Sequence, residues 1–446
     1  MSAQLSVTDF NQGLLTFLAE SPTPFHATQS MAKRLSNAGF HYLNEQDEWH
    51  LVVGNKYYLT RNDSSIIAFI YGAEKITDSG IRMLGAHTDS PCLKLKPQPE
   101  LNRRGYFQLG VEVYGGALLA PWFDRDLSAA GRVTYQNDAG DVQSCLIDFA
   151  RAIAIIPSLA IHLDRDVNSA RNINPQRDII PVLFQLSDDG ADTPSIRQLL
   201  SEQLKKDGVN VLPEAILDFE ISFYDTQAPA LVGLKNQFIA SARLDNLLSC
   251  FVGLQGICEA DTRVSSLLIC TDHEEVGSTS GCGAKGPMLE QFLARLIPDN
   301  ETRIRVIEKS LMISADNAHG IHPNFQDRHD ENHVPILNKG PVIKINANQR
   351  YATTSESSAI FKLLCQQANI PFQMFVARTD MGCGSTIGPI VSSEVGVKTL
   401  DVGVPTFAMH SIRELAGTQD AWYLYRIAVD FFHYPKAPIP LVTKVG

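Results

Sequence analysis

The sequence predicts an α/β protein in which a mostly parallel sheet lies between helices in an α/β/α arrangement. An inserted, largely antiparallel second domain interrupts it. Three observations lead there. Short apolar runs of strand length each end in an ionisable cluster: Ile81 to Ala86 before His87, Leu267 to Cys270 before Asp272-His273-Glu274-Glu275, and Leu311 to Ala315 before Asp316. Stretches with helical spacing accompany these runs, the clearest being Leu247, Leu248, Phe251, Leu254 and Ile257. From about Lys96 to Lys235 the polar-tip pattern stops, and alternating or hairpin-like stretches replace it. With 446 residues, one large or two moderate domains are expected. The division read from the pattern is 1–95 with 236–446 for the parallel-sheet domain, and 96–235 for the insertion.

Taken in order, Asp9 to Glu20 and His26 to Ala38 have helical spacing, separated by the turn residues Ser21-Pro22-Thr23-Pro24. Ile66 to Tyr71 and Ile81 to Ala86 read as strands, the second delivering His87-Thr88-Asp89. A histidine with a carboxylate two residues on is a metal ligand backed by an orienting group in many hydrolases, and equally a capped turn when it stands alone. Inside the insertion, Phe107 to Tyr114 alternates and Arg132 to Ile147 forms a hairpin around Asn137-Asp138-Ala139-Gly140. Thr193 to Lys206 is helical and Ile216 to Tyr224 a strand. Beyond it, Phe238 to Ala242 leads to Asp245 at a strand-to-helix junction, where helix N-capping is the plain alternative to a chemical role. Pro341 to Ile345 and Lys398 to Val402 are further strands, His410 follows the latter, and Asp420 to Phe432 closes the chain as an amphipathic helix.

Composition narrows the function. A formal net charge of −11 without a clustered basic patch argues against nucleic acid and anionic membranes as partners. The longest apolar run, around Ala152 to Ile161, is half of the roughly 20 residues a membrane helix needs. The start, MSAQLSVTDFNQG, lacks the basic and apolar regions of a secretory signal, so a cytoplasmic protein is expected. The eight cysteines are scattered without a CxxC pair, which excludes a zinc ribbon and disfavours a disulfide framework.

The polar tips form a set. His87, Asp245, Glu274, Glu275 and Asp316 stand at or just past strand ends, and His410 follows slightly later. In open α/β sheets, sites form outside the carboxyl ends of the strands. Imidazoles and carboxylates without thiolate suit a pair of zinc-like ions, with one carboxylate bridging. Two such ions activate water, polarise a carbonyl and stabilise a tetrahedral intermediate, while a spare carboxylate serves as general base. Alternation along extended backbone would point Glu274 and Glu275 in different directions, one to metal and one to substrate. A solvated acidic turn is the alternative for an isolated Glu-Glu pair.

Seven stretches make the pattern specific: HTDSP (87–91), RLDN (243–246), DHEEVGS (272–278), SADNAHGIHPNF (314–325), NQRYATT (348–354), GCGSTIGP (382–389) and AMHSIRE (408–414). In order and spacing they resemble the motifs of the M18 metalloaminopeptidases, which include the aspartyl aminopeptidases. The likeness runs from Ser21-Pro22-Thr23-Pro24 to the last helix. It implies a metalloaminopeptidase holding two zinc ions, or other divalent metals, per subunit. Asp245 would bridge them, His87 and Asp316 would complete one site, and Glu275 and His410 the other. Glu274 would be the general base, and Asp89 the carboxylate holding the His87 ring.

The resemblance also implies that the insertion is a dimerisation domain. His162, in IIPSLAIHL (155–163), would reach a neighbouring subunit's active site within a homo-oligomeric dodecamer built from dimers. Lys344 matches a basic residue that contacts acidic substrate side chains, so peptides with amino-terminal Asp or Glu are the expected substrates; a sheet-edge lysine is its alternative. His273 stands where eukaryotic relatives carry Asn and receives no catalytic role. His319, His322, His329 and His333 are expected to orient carboxylates, shape the pocket or lie at the surface. GSTSGCGAKG lacks the GK[ST] of a phosphate loop. Rival readings are a two-metal amidohydrolase of other specificity (neutral aminopeptidase, carboxypeptidase or deacylase) and a non-catalytic metal-bound scaffold.

Overall fold

The structure, a computed structural model, describes residues 5–187 and 193–434. The first four residues of the amino-terminal stretch read above lie outside the described part. Contacts divide the chain into two units, Met1–Asp89 with Pro229–Met409 and Glu414–Gly446, and Ser90–Ala228 with His410–Arg413. A boundary at 95/96 would cut the single strand Cys92–Arg103, whereas Asp89/Ser90 falls in the preceding loop.

The first unit is built on a nine-stranded sheet. At its centre, Ser266–Thr271, Arg82–His87, Leu311–Ala315 and Lys398–Gly403 run parallel, each beside the next. Ser65–Ile70 adds antiparallel to Ser266–Thr271 on one side, and Val342–Lys344 antiparallel to Lys398–Gly403 on the other. Parallel pairing brings the carboxyl ends of the central strands to one edge. Thr271 is paired with His87, so the cluster after one strand starts level with the histidine that ends the other.

The central strands are apolar on both faces because both faces are covered. Leu268 and Cys270 pack with Phe10, Leu14, Phe17, Phe251 and Leu424 from the helices Val7–Ala19, Leu244–Glu259 and Asp420–Phe432. Their neighbours Leu267 and Ile269 point the other way, toward Met288, Phe292 and Val391 of Met288–Leu296 and Ile387–Val395. This is the three-layer α/β/α arrangement expected from the patterning. Helix Leu244–Glu259 lies close on the sheet: a Cβ on Gly253 would come within 2.5 Å of Leu268 and 2.8 Å of Leu84. That approach leaves no room for a larger residue and seats the start of the helix, with Asp245, at the strand ends.

A third, five-stranded sheet was not foreseen. It joins Ala230–Val232, Phe238–Ser241, Glu414–Gly417, Pro405–Phe407 and Ala318–His319. Strands of two to four residues are too short to display a period. Val342–Lys344 is flanked on both sides, also pairing parallel with Gln373–Phe375. Lys344 is therefore an interior lysine and not a sheet-edge one.

The second unit is a six-stranded, wholly antiparallel sheet in the order Val142–Asp148, Leu127–Gln136, Ile216–Asp225, Cys92–Arg103, Tyr106–Tyr114, Val182–Gln185. Its hairpin turns at the expected place: Asn137 Oδ1 accepts the N–H groups of Ala139 and Asp141, and Gly140 takes a φ of +88°. Helix Ile196–Lys206 starts at Ser195, whose side chain and Gln198 form a capping box, and buries Leu200 and Leu204 in this unit's core. Among the described residues, no helix is long and apolar enough to cross a membrane.

Candidate metal centre

The strand Arg82–His87 ends by burying an imidazole that is only 1% exposed. Four carboxylates surround it. His87 Nε2 lies 3.3 Å from Asp245 Oδ1, 3.6 Å from Asp316 Oδ1 and 4.0 Å from Glu274 Oε2, while Nδ1 lies 3.3 Å from Asp89 Oδ1. Asp89 is fully buried behind the ring, and its two oxygens also accept the backbone N–H groups of Glu274 and Glu275, both at 3.1 Å. His87 Nδ1 also lies 3.1 Å from the Asp89 backbone O, so Asp89 holds the imidazole through carbonyl and carboxylate together, and its carboxylate fixes the loop that carries both glutamates.

Asp245 lies in a kink at the start of helix Leu244–Glu259, where it departs from helical backbone angles. Its N–H is held by Glu414 Oε2 at 2.9 Å, and Asn246 Nδ2 donates to Ala315 O at 2.8 Å. These bonds leave the Asp245 carboxylate directed at His87. Glu414 is 2% exposed and was not singled out from sequence, because its partner is a backbone N–H far away in the chain.

Glu274 and Glu275 do not alternate along extended backbone. The strand stops at Thr271, His273 adopts a left-handed φ of 66°, and Glu274–Val276 forms a single 3₁₀ turn. Both glutamates consequently reach the same region: ligand atoms of His87, Glu274 and Glu275 lie within 4.8 Å of one another, as do those of His87, Asp245 and Asp316.

The electrostatics show what such crowding costs. Burial, then the neighbouring carboxylates of Asp316 and Asp245, raises the Glu274 carboxyl to about 7 against the pull of His87. Burial followed by Asp245 lifts Glu275 to about 10. Burial alone would depress His87, but hydrogen bonding to Asp245, Asp316 and Asp89 raises it well above its ordinary value. A buried group of carboxylates around one imidazole is expensive to ionise without further positive charge. Imidazole nitrogen and carboxylate oxygen are the donors that zinc accepts. The residues fit zinc.

Lys344 supplies one fixed cation. Its ammonium, 2% exposed, lies 3.2 Å from Asp316 Oδ2 and 3.1 Å from Asn317 O, over the Tyr351 ring at 5.1 Å. His410 belongs by its contacts to the second unit, where its Nδ1 is 3.2 Å from Gly116 O. His162 is exposed in the turn of that unit between Leu159 and Leu163. A cavity of about 310 Å³ is lined by His319, His322, His329, Arg328, Arg378 and Phe375 among others, and His319 feels the charges of Lys344, Asp245 and Asp316. His333 pairs instead with Asp330, 2.7 Å away.

Comparison with known proteins gives the family. The family model described as aminopeptidase I zinc metalloprotease (M18) matches residues 17–432. The chain is 59% identical over 427 residues to the "Probable M18 family aminopeptidase 2" of Ectopseudomonas mendocina, covering 96% of this chain and 99% of that one. Its fold is similar to the structure of a complex of Ape4 and Nbr1, with a TM-score of 0.92 and 37% identity over 96% of this chain and 87% of the other. It is similar also to the mApe1 dodecamer of S. cerevisiae, with a TM-score of 0.83 and 28% identity over 96% and 97%. A conserved-length match of this kind, joined to a zinc-competent cluster at the strand ends, leads to one conclusion: the chain belongs to the M18 family of zinc metalloaminopeptidases and is a hydrolase.

Proposed function

We propose that this enzyme releases amino-terminal Asp and Glu from peptides at a centre of two zinc ions. In this reading Asp245 would be shared between the two ions, His87 and Asp316 would help to hold one, and Glu275 and His410 the other. The observation that carries this is the convergence of Asp245, Asp316 and Glu274 within 4.0 Å of the buried His87 imidazole. When bound, the ions supply Lewis acidity toward the scissile carbonyl and lower the pKa of water. Glu274 takes the proton from the attacking water and returns it to the departing amine. Asp89 keeps the His87 ring and the Glu274 backbone in place throughout.

The acidic preference rests on Lys344. An ammonium has three N–H donors, and Asp316 and Asn317 account for two. The third is available to a substrate carboxylate, whose charge a buried lysine would favour over an apolar side chain. Full commitment of Lys344 to Asp316 would instead give a neutral preference with the same metals.

Assembly follows from the second unit, which we read as a dimerisation domain. His162 is flanked by Leu159, Ile161 and Leu163, exposed by 57%, 53% and 74% in the single chain. Such apolar residues favour burial against another copy, and the similarity to a dodecameric relative supports a homo-oligomer; we read it as a dodecamer of dimers in which His162 would enter a neighbour's site. All eight cysteines are free thiols, which supports a cytoplasmic location.

The test is hydrolysis of Asp-, Glu- and Leu-linked amino-terminal reporters, and of an amino-blocked peptide, before and after chelation. Metal-dependent cleavage led by Asp and Glu is expected. A lead by Leu would overturn the role of Lys344, and preference for the blocked peptide would point to a deacylase.

A further inference from the structure

A second group of ligand-type side chains lies outside the centre described above. Asp272, His273 and Cys282 each offer one ligand atom, all within 4.8 Å of one another. His273 Nδ1 is 3.5 Å from Cys282 Sγ and 2.9 Å from Ser280 Oγ, and Nε2 is 3.5 Å from Asp272 Oδ2. Asp272 and Cys282 are buried, at 3% and 6% exposure.

The sulfur has unusual company. Cys270 and Cys365 are embedded in the apolar core, as expected of structural thiols. Cys282 instead has Ser280 Oγ at 3.6 Å, Asn62 Nδ2 at 3.9 Å and Ser64 Oγ at 4.0 Å, besides the imidazole. A packing residue has no need of such an environment, and a ligand sulfur does.

The separation is also right for a shared ion. Zinc bonds of about 2.0–2.1 Å to nitrogen and about 2.3 Å to sulfur, opened at a tetrahedral angle, place the two donors about 3.6 Å apart. The centre at His87 has only nitrogen and oxygen donors, so the two sites differ in softness: thiolate attracts zinc and cadmium more strongly than oxygen-preferring ions.

We propose that His273 and Cys282, with Asp272 as a third donor, form an additional binding site for a thiophilic divalent cation. The ion would tie together the two ends of the loop that carries Glu274 and Glu275. The site is independent of the enzyme's substrate preference and of the ligand assignment at His87.

Equilibrium dialysis of the assembled, zinc-loaded enzyme against Cd²⁺, followed by metal analysis and ultraviolet spectroscopy, tests this. Wild type should gain one cadmium per subunit beyond Cys282→Ser and show a thiolate-to-cadmium charge-transfer band that the variant lacks. His273→Asn keeps the thiol and should weaken binding by more than the roughly tenfold cost of losing an outer hydrogen-bond partner; it carries the test if Cys282→Ser does not fold. Equal cadmium content in wild type and the folded variants overturns the proposal. So does a band that survives in Cys282→Ser, since another cysteine would then be the ligand.

Discussion

Asp89 Oδ1 accepts the backbone N–H of Glu274 at 3.1 Å and lies 3.3 Å from Nδ1 of His87, while its Oδ2 accepts the N–H of Glu275. The imidazole at the strand end and the loop that carries both glutamates thus depend on one buried group. Asp89→Asn keeps the shape but replaces an acceptor oxygen with a donor, which opposes an N–H. Zinc affinity should fall about 10- to 100-fold, the usual cost of losing a carboxylate behind a ligand histidine. Competition with a chelator of known affinity measures this; unchanged affinity would remove Asp89 from the centre.

Lys344 and Asp316 form a buried ion pair, so Lys344→Leu should act twice. It should lower the ratio of Asp to Leu cleavage by about tenfold or more, as expected for a charge-assisted hydrogen bond worth about 1.5–3 kcal/mol. It should also leave Asp316 without its cation and weaken metal retention. A changed metal content with an unchanged Asp-to-Leu ratio would confine Lys344 to the support of Asp316.

His162→Ala should reduce kcat by about 10²-fold while zinc content stays at the wild-type level, on the scale of removing one group that stabilises charge in the transition state. Loss of zinc in this variant would make His162 a ligand, and full activity would end its assignment to a neighbour's site.

Asp420 gives the pH dependence. It is fully buried at the start of the last helix and receives N–H bonds from Asn338 and Gly340. Burial outweighs those bonds and raises its carboxyl from 3.8 to about 7. The folded state therefore holds a proton that the unfolded chain releases between these values. Its contribution to stability is complete below 3.8 and is lost as pH rises through about 7. The difference in thermal midpoint between wild type and Asp420→Asn should be larger at pH 5 than at pH 8. A difference that does not change with pH would contradict this.

Much of the centre was legible because apolar strands that end in ionisable residues signal both their burial and the edge they share. His87, Asp316 and the Glu274-Glu275 pair were visible in this way. Asp245 is ambiguous with a helix cap in the sequence; in the fold Glu414 holds its backbone N–H and Ala315 O holds the side chain of Asn246 beside it. The paths of Glu274 and Glu275 were misread because a left-handed His273 turns the chain before alternation applies. Lys344 offered no local sign of lying between two neighbouring strands, since pairing is decided by Lys398–Gly403 and Gln373–Phe375, distant in sequence. The short strands of the third sheet escaped for the same reason.

The central claim is that Glu274 moves protons at a zinc centre that it does not itself hold together. Glu274→Gln tests it most directly, with zinc content and turnover measured on the same preparation. Retained zinc with kcat lowered about 10²- to 10⁴-fold, the range for a lost general base, is the predicted result. Normal turnover, or loss of zinc along with activity, would contradict it.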